Sequence, residues 1–345
     1  MTKKSSGLQY PIEGKPEFGK LIEVSDGLFW LRMPIPFSLD HINLWVLRDH
    51  GGWTIIDTGF YSQESVTLWE TILSGHCNGE KINKIIVTHF HPDHVGMAGW
   101  LANKTGAPMH MSQGEFDMLH LACKPFTNEQ NVTRRQFYQL FGLAEKTVNK
   151  LLDRKGSYKD GVPNAPLSFQ CMNNGESIEV NGEHWQLHHF SGHSPEHVCL
   201  FNAQRNILIS GDQVLPSISP NISVSYQQPL ADPLANYLSS LSSLSTLPTD
   251  TLVLPSHGLV FNGLHNRAKE LMAGHQKDLD KLQIFCEQPR TAHDVMEELF
   301  GDRLNLFNIF LAVGEALAHL NYLVGQHKMA RIDGPVVRYQ TEVTA

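Results

Sequence analysis

The chain has 345 residues, of which 41% are hydrophobic, and its formal net charge is −8 at pH 7. This length allows a large buried core and two or so domains, and the negative charge gives no overall attraction to nucleic acid or anionic lipid. No run of about 18 apolar residues is present, so we expect no transmembrane helix. The five cysteines are widely spaced and odd in number, which does not suggest a disulfide framework. No apolar segment follows the lysines near Met1, so we expect no signal peptide and a cytoplasmic location.

Residues 20–115 predict strands and hairpins, and they contain the most informative segment of the chain. The run 84–87 leads into three imidazoles and a carboxylate within six residues: His89, His91, Asp93 and His94. Such groups are costly to bury unless something binds them, and cations such as zinc prefer these donor types. The segment therefore predicts a metal site directly after a strand.

Four other predicted strands end in the same kind of side chain. Asp57 follows residues 53–56, and three later strands lead to His193, Asp212 and His257. Strand ends that continue into short glycine-containing turns are where rigid scaffolds present reactive groups. The five strand ends together predict one functional edge of a sheet sandwich.

The spaced pattern His-x-His-x-Asp-His, Gly-His, Gly-Asp and His-Gly resembles that of the metallo-β-lactamase superfamily of hydrolases. The resemblance covers roughly residues 20–275, and Asp57-Thr58-Gly59 fits it too. Residues 215–222 and the C-terminal tail resemble the lactamase-beta-2-like subgroup, on fewer residues. The resemblance implies an α/β (α+β) fold, a four-layer αββα metallo-β-lactamase sandwich with a helical insertion and a small C-terminal winged-helix-like domain.

The same resemblance implies two adjacent metal sites. The first would be formed by His89, His91 and His193, the second by Asp93, His94 and His257, and Asp212 would bridge them. Two divalent ions are expected, with zinc as the first choice and iron or manganese as alternatives. Two such ions share a water and lower its pKa, so that the bridging hydroxide attacks a carbonyl or phosphorus.

Two of the acidic residues have further implied roles. Asp93 is the candidate catalytic residue, because it can both bind metal and orient the nucleophile. Asp57 is expected to lie behind the ligands and fix the tautomer of a ligand histidine, and the alternative is an ordinary strand-end residue. One departure from the pattern is Glu196, which stands where the third motif often has glycine and leaves the shape of that loop open.

Residues 115–165 predict a helical insertion whose charge is opposite to that of the whole chain. Residues 121–160 contain eight Lys and Arg against four Asp and Glu, a net charge of +4, with aromatic residues interleaved. One interpretation is a solvated amphipathic helix pair. The other is a lid in which Arg134, Arg135 and Lys155 attract an anionic substrate. Coenzyme A thioesters, carrier-protein phosphopantetheine and single-stranded RNA would all suit such a lid.

The pattern predicts a hydrolase domain over residues 1–275 and a C-terminal module over 276–345. In the latter, residues 291–300 and 306–326 predict helices and 330–339 a hairpin, an arrangement that resembles a winged helix. Residues 289–345 contain five Lys and Arg against seven Asp and Glu, a net charge of −2, so duplex DNA is not an expected partner. We expect a packing or dimerisation module, and homo-oligomer formation is left open.

The predicted function is metal-dependent hydrolysis of an ester or thioester such as an acyl-CoA, a small-molecule or carrier-linked anionic substrate. The choice of an acyl substrate rests on hydrophobic residues close to the motifs: Phe37, Trp45, Phe60, Met97 and Trp100. One alternative is an endonuclease or phosphodiesterase that acts on single-stranded RNA. Another is a persulfide dioxygenase with a single iron, because related proteins use the same donors for oxidation. Membrane binding is not expected.

Overall fold

The computed structural model describes residues 7–37, 39–153, 157–305 and 308–342, and it contains two large β-sheets. The seven-stranded sheet runs in the order β1 (Leu21–Ser25), β2 (Leu28–Pro34), β3 (His41–Asp49), β4 (Gly52–Ile56), β5 (Lys81–Ile86), β6 (Met109–Met111) and β7 (Gln170–Cys171). Its first four strands pair antiparallel and the rest pair parallel. The six-stranded sheet consists of β8 (Ser177–Val180), β9 (Glu183–Phe190), β10 (His197–Asn202), β11 (Ile207–Gly211), β12 (Leu252–Pro255) and β13 (Phe261–Asn262), in spatial order from β8 to β13.

The helices connect the strands and follow the second sheet. They are α1 (Gln63–Ser74), α2 (Pro92–Val95), α3 (Ala98–Thr105), α4 (Gln113–Ala122), α5 (Asn128–Leu140), α6 (Glu145–Leu152), α7 (Tyr158–Gly161), α8 (Pro233–Leu244), α9 (Leu264–Phe285), α10 (Ala292–Phe300) and α11 (Ile309–Gly325). A 3₁₀ turn (Gly301–Arg303) follows α10, and a hairpin of β14 (Met329–Ile332) and β15 (Arg338–Thr341) follows α11. Within the described residues no helix is both long and apolar enough to cross a bilayer.

Strand β3 shows why the sheets form the middle of the molecule. Its side chains alternate between two apolar cores, because successive residues of a strand point to opposite faces. Trp45 and Leu47 pack between the sheets with Trp185 and Leu200, whereas Leu44 packs against Trp69 of α1. A third core joins the outer face of the second sheet to α8, α9 and α11. Helices therefore cover both outer faces, and the predicted αββα sandwich is confirmed.

The insertion predicted near residues 115–165 is helical and consists mainly of α4 to α7. Helix α5 begins with a capping box in which Thr127 and Gln130 satisfy each other's backbone N–H groups. The insertion separates β6 from β7, so it lies between the first and third metal motifs in sequence.

The C-terminal elements follow the predicted order. Thr291 caps α10, and β14 pairs antiparallel with β15 from Ile332 opposite Arg338. Helix α9 runs without interruption through position 275, where the domain boundary was predicted. The predicted boundary therefore falls within a helix, and the division into two domains stays a prediction. The likeness to a winged helix also stays a prediction.

Candidate metal centre

The residues predicted to bind metal lie together where strands of both sheets end. Asp57 follows β4, His89 follows β5, His193 follows β9, Asp212 follows β11 and His257 follows β12. Between β5 and α3, helix α2 adds Asp93 and His94, with His91 as its N-cap residue. Short connections after buried strands leave these side chains little freedom, which is what a preorganised site needs.

The first group of donors is formed by His89, His91, His193 and Asp212, whose ligand atoms all lie within 4.8 Å of one another. His89 Nε2 is 2.9 Å from His91 Nδ1 and 3.3 Å from His193 Nε2. Three ring nitrogens therefore face one point, and one oxygen of Asp212 lies 3.4 Å from the third of them. Imidazole and carboxylate donors at such spacing are able to bind a divalent metal ion.

The second group is formed by Asp93, His94 and His257, again with ligand atoms within 4.8 Å. Asp93 Oδ2 is 3.3 Å from His257 Nε2 and 3.8 Å from His94 Nε2. Asp212 completes this group as well, because its Oδ1 lies 3.5 Å from both His94 Nε2 and His257 Nε2. Its Oδ2 faces the first group, so one carboxylate presents one oxygen to each side.

Two buried polar atoms at the centre form no hydrogen bond with another described residue. They are His94 Nε2 and Asp212 Oδ1, which face each other at 3.5 Å. Leaving such an atom unsatisfied costs about 1–3 kcal/mol, and a native protein retains this cost where a ligand offsets it. A cation in the second group would bind both atoms. The donor set therefore fits a pair of divalent cations.

Burial and neighbouring charges separate the protonation states of the two groups. Burial, followed by the neighbouring histidines, holds the pKa of His89 well below its ordinary value, and burial with His193 lowers the pKa of His91 to about 3. These imidazoles are neutral at pH 7, the form that binds metal. Burial opposes charge on His94 too, but Asp57 and Asp212 outweigh it and raise the pKa of His94 well above 6.5. A cation in the second group must therefore displace protons.

The carboxylates at the centre remain ionised. Burial favours the protonated form of Asp93, but His94 and His257 outweigh burial and lower the pKa of Asp93 to about 2. His257 and His94 likewise hold the pKa of Asp212 well below its ordinary value against burial. Both carboxylates therefore keep the charge that a divalent cation requires of its ligands.

Three of the candidate ligand histidines are fixed by a hydrogen bond from the ring nitrogen that faces away from the centre. His94 Nδ1 lies 2.8 Å from Asp57 Oδ2, and His193 Nδ1 donates to the carbonyl oxygen of Asn221 at 2.9 Å. His257 Nδ1 donates to the carbonyl oxygen of His41 at 2.8 Å. These partners place the hydrogen on Nδ1 and leave Nε2 free for metal.

Asp57 lies behind the ligands, in the position expected from the sequence. Its carboxylate also accepts hydrogen bonds from the backbone N–H and the hydroxyl of Thr88, and only 1% of the residue is exposed. Its φ of 58° lies in the left-handed region, which aspartate tolerates better than most residues. This backbone turn directs the side chain back towards His94.

His197 is the main buried residue that the sequence reasoning missed. Its Nε2 accepts a hydrogen bond from the backbone N–H of Asp212 at 3.0 Å, and its ring centre is 4.8 Å from that of His89. The contact depends on Gly211, because a Cβ there would lie 2.4 Å from the His197 ring. His197 therefore positions the backbone of Asp212. The signal available in the sequence was the place of His197 itself in the third motif, directly after Glu196.

Two glutamates, Glu115 and Glu196, set the shape of the third-motif loop that the sequence left open. Glu115, on α4, accepts hydrogen bonds from the Phe90 backbone N–H, the Ser194 hydroxyl and the Glu196 backbone N–H. Glu196 in turn accepts from the backbone N–H of Gly114 at 2.7 Å, at the N-terminus of α4, where a negative charge is favoured. Through these hydrogen bonds the two carboxylates connect the loop of the third motif and the loop of the first motif to α4.

Two of the three residues predicted to form a lid contact other side chains of the insertion. Arg134 and Arg135, both on α5, donate to Asn131 Oδ1 at 2.9 Å and Asn149 Oδ1 at 2.7 Å. Arg134 also lies over the ring of Phe126, 3.8 Å from its centre. Lys155 lies outside the described residues. The lid stays a prediction.

The five hydrophobic residues that suggested an acyl substrate differ in their exposure. Trp45 and Met97 are buried in the cores and cannot contact a substrate. Phe37 is 55% exposed and packs edge-on against Phe60 with ring centres 5.3 Å apart, and Trp100 is partly buried. Only Phe37, Phe60 and Trp100 can contribute to a surface that contacts substrate.

The sequence model of the metallo-beta-lactamase superfamily matches residues 38–257, which span more than half of the chain. The chain belongs to the metallo-β-lactamase superfamily. A second family description, metallo-beta-lactamase-like, C-terminal domain, matches residues 279–342. As a member of this superfamily with two His/Asp clusters able to bind metal, the protein is a metallo-hydrolase.

Three relatives of this superfamily member illustrate the range of the similarity. The crystal structure of a beta-lactamase domain protein from Burkholderia ambifaria is 38% identical, covers 97% of this chain and 98% of its own, and has a TM-score of 0.90. A probable metallo-hydrolase, YqjP, from Bacillus subtilis (strain 168) is 23% identical over 90% of this chain and 97% of its own length. An atrochrysone carboxyl ACP thioesterase from Aspergillus fumigatus is 22% identical over 74% of this chain and 46% of its own length.

Proposed function

We propose that this metallo-hydrolase works with two divalent cations, expected to be zinc, and cleaves an ester or thioester that carries an acyl chain. One observation carries the proposal of two cations: Asp212 presents Oδ2 to the first donor group and Oδ1 to the second. In a single-metal site only one of these oxygens would bind the cation, and the other would remain buried without a ligand. This argument favours hydrolysis over the dioxygenase with a single iron.

The two cations would be held by His89, His91 and His193 on one side and by Asp93, His94 and His257 on the other, with Asp212 between them. When bound, they supply Lewis-acid polarisation of a carbonyl oxygen and lower the pKa of a water that they share.

The protein's own side chains position the reactants and keep the donors in the right protonation state. Asp93 is ionised at neutral pH, and 17% of its side chain is exposed, so it can bind a cation and accept a hydrogen bond from the attacking water. Asp57 keeps Nε2 of His94 available to the cation, and His197 fixes the backbone of Asp212. These groups do not need to move during the reaction, which is the basis of electrostatic preorganisation.

Two observations support an acyl thioester as the substrate class. One relative is named as a thioesterase that acts on a carboxyl-ACP, a carrier-linked acyl chain. Residues 121–160, within the insertion, have a net charge of +4, which suits the phosphates of coenzyme A or of a phosphopantetheine arm. Single-stranded RNA suits the same charge, so RNA is the alternative that the assay must separate.

The test is a substrate panel on protein reconstituted with zinc, with the metal content measured by mass spectrometry. We expect two zinc ions per chain and hydrolysis of acyl-CoA that is lost with a chelator and restored by zinc. The variant Asp212→Asn should lose this activity, whereas Asp49→Asn, which alters a buried carboxylate far from the centre, should keep it. Cleavage of labelled RNA with no thioester hydrolysis would overturn the substrate assignment. One iron per chain with oxygen-dependent turnover would overturn the proposed pair of cations and the ester or thioester substrate.

A further inference from the structure

The segment 213–224 connects the bridging residue Asp212 to the C-terminal helices. Near its start, Arg267 of α9 donates from Nε to the carbonyl oxygen of Leu215 at 2.6 Å and from its Nη2 to that of Ile218 at 2.8 Å. Arg267 is 5% exposed, so these are buried, charge-assisted hydrogen bonds. The path of the chain after Asp212 is therefore set by a helix outside the two sheets.

Asn221 lies in this segment and connects a ligand histidine to α11. Its carbonyl oxygen accepts the hydrogen bond from His193 Nδ1 at 2.9 Å, and its side-chain amide donates to Glu315 Oε2 at 2.8 Å. The other side-chain atom, Oδ1, accepts from the hydroxyl of Ser223 at 2.6 Å. One residue thus joins the first donor group to a carboxylate 94 positions later in the sequence.

The contact between the segment and α11 is close enough to transmit the position of Glu315. The backbone N–H of Val224 donates to the carbonyl oxygen of Gly314 at 3.0 Å, and the Ser223 hydroxyl oxygen lies 3.0 Å from the carbonyl oxygen of Leu311. A Cβ on Gly314 would lie 2.8 Å from the carbonyl oxygen of Val224, so glycine permits this approach. The segment therefore has little freedom to shift relative to the helix.

Glu315 lies in a buried environment that disfavours its negative charge. A residue with a purely structural role would not require a carboxylate in such an environment. Burial raises the pKa of Glu315 to about 7, and the hydrogen bond from Asn221 works in the opposite direction. Departures of this kind from local stability rules concentrate at functional positions.

We propose that Glu315 is a positioning residue of the metal centre, which acts through Asn221 to fix the carbonyl group that orients His193. The C-terminal module, which lies outside the superfamily domain at residues 38–257, thereby helps to orient one histidine of the first donor group. This inference rests on the proposed pair of cations and is independent of the substrate.

The experiment measures the affinity of each zinc ion in the full chain by competition with a chromophoric chelator. Loss of a hydrogen-bonded partner of a ligand histidine typically weakens metal binding 10–100-fold. Glu315 acts one residue further away, so we expect Glu315→Ala to weaken one of the two zinc ions by about tenfold and the other by less than about twofold. Glu315→Gln keeps an acceptor oxygen for Asn221 and should restore most of the lost affinity.

Asn321→Ala is the matched control, because Asn321 is also on α11 and also donates to backbone carbonyls of the connecting chain. Its partners are Pro229 and Ala231, at 3.0 and 2.8 Å, whereas the hydrogen bond from His193 goes to Asn221. We expect this variant to lower thermal stability and leave both zinc affinities unchanged.

Asn221→Ala provides an independent test if Glu315→Ala does not fold, because it removes the same hydrogen bond from the other side. It should weaken the same zinc ion, and the two changes together should cost no more than one alone. Unchanged zinc affinities in the Glu315 and Asn221 variants, or equal weakening in the Asn321 variant, would overturn the inference. Failure of the unaltered protein to bind two ions would instead overturn the proposed metal centre.

Discussion

Replacement of Asp57 by asparagine tests whether the residues behind the ligands control the metal centre. Asparagine has nearly the same shape and tolerates the left-handed backbone at this position, where φ is 58°. The change removes the carboxylate oxygen that lies 2.8 Å from His94 Nδ1. If the amide nitrogen faces the ring, His94 must place its hydrogen on Nε2, the atom needed for the cation.

The size of the effect follows from the bond that is lost. A hydrogen bond to a charged group contributes about 1.5–3 kcal/mol, and each 1.4 kcal/mol corresponds to about a tenfold change in affinity. We therefore expect zinc in the second group to bind about 10- to 100-fold more weakly. The first zinc ion should be affected much less, because Asp57 does not contact His91 or His193.

The assay is zinc competition, with kcat/KM measured at saturating zinc and the melting temperature recorded for each variant. Asp49→Asn is the control: Asp49 is 6% exposed and accepts hydrogen bonds from Lys84 and Thr54, away from the centre. It should lower stability without changing zinc affinity. If Asp57→Asn kept both zinc ions within twofold of the unaltered protein, the argument that Asp57 controls His94 would fail.

Three other predictions concern the site, the insertion and acid stability. His91→Ala should lower kcat by about 100-fold or more, because a Lewis acid contributes several kcal/mol of transition-state stabilisation. The free energy of unfolding should change little, and full activity would contradict the proposed ligand set. Charge reversal of Arg134 and Arg135 should raise KM for an acyl-CoA at low ionic strength and less so in high salt; an unchanged KM at low salt would refute the lid. Burial opposes charge on Asp49, but the hydrogen bonds from Lys84, Asn181, Thr54 and His50 together outweigh burial and lower the pKa of Asp49 below the ordinary 3.8. The stabilisation from Asp49 is therefore complete above about pH 4 and is lost as the pH falls further. The difference in unfolding free energy between Asp49→Asn and the unaltered protein should thus be constant near neutrality and become smaller below about pH 4. A difference that became larger in acid would contradict this prediction.

The parts of the site that could be predicted are those in which the residue type itself carries the chemistry. The seven candidate ligands follow strand ends in a spaced pattern, and the structure brings their donor atoms together. Asp57 was expected behind the ligands for the same reason. The αββα sandwich was expected from the resemblance of the spaced motifs to those of the superfamily, and the five polar strand ends indicated one edge of a sheet sandwich.

The parts that could not be predicted depend on backbone atoms or on distant contacts. The carbonyl groups of Asn221 and His41 hold two ligand histidines, and every residue has such a group, so no sequence signal marks them. Glu196 looked like a disturbance of its loop, and its helix-capping contact appears only when α4 is packed beside it. Trp45 lies close to the motifs in the sequence, but strand alternation directs it into the core between the sheets.

The central claim is that Asp212 bridges two cations, and anomalous diffraction at the zinc absorption edge tests it most directly. Crystals of the zinc-loaded protein should show two peaks, one beside each oxygen of Asp212, with His89, His91 and His193 around the first. A single peak, or no peak among these side chains, would contradict the account.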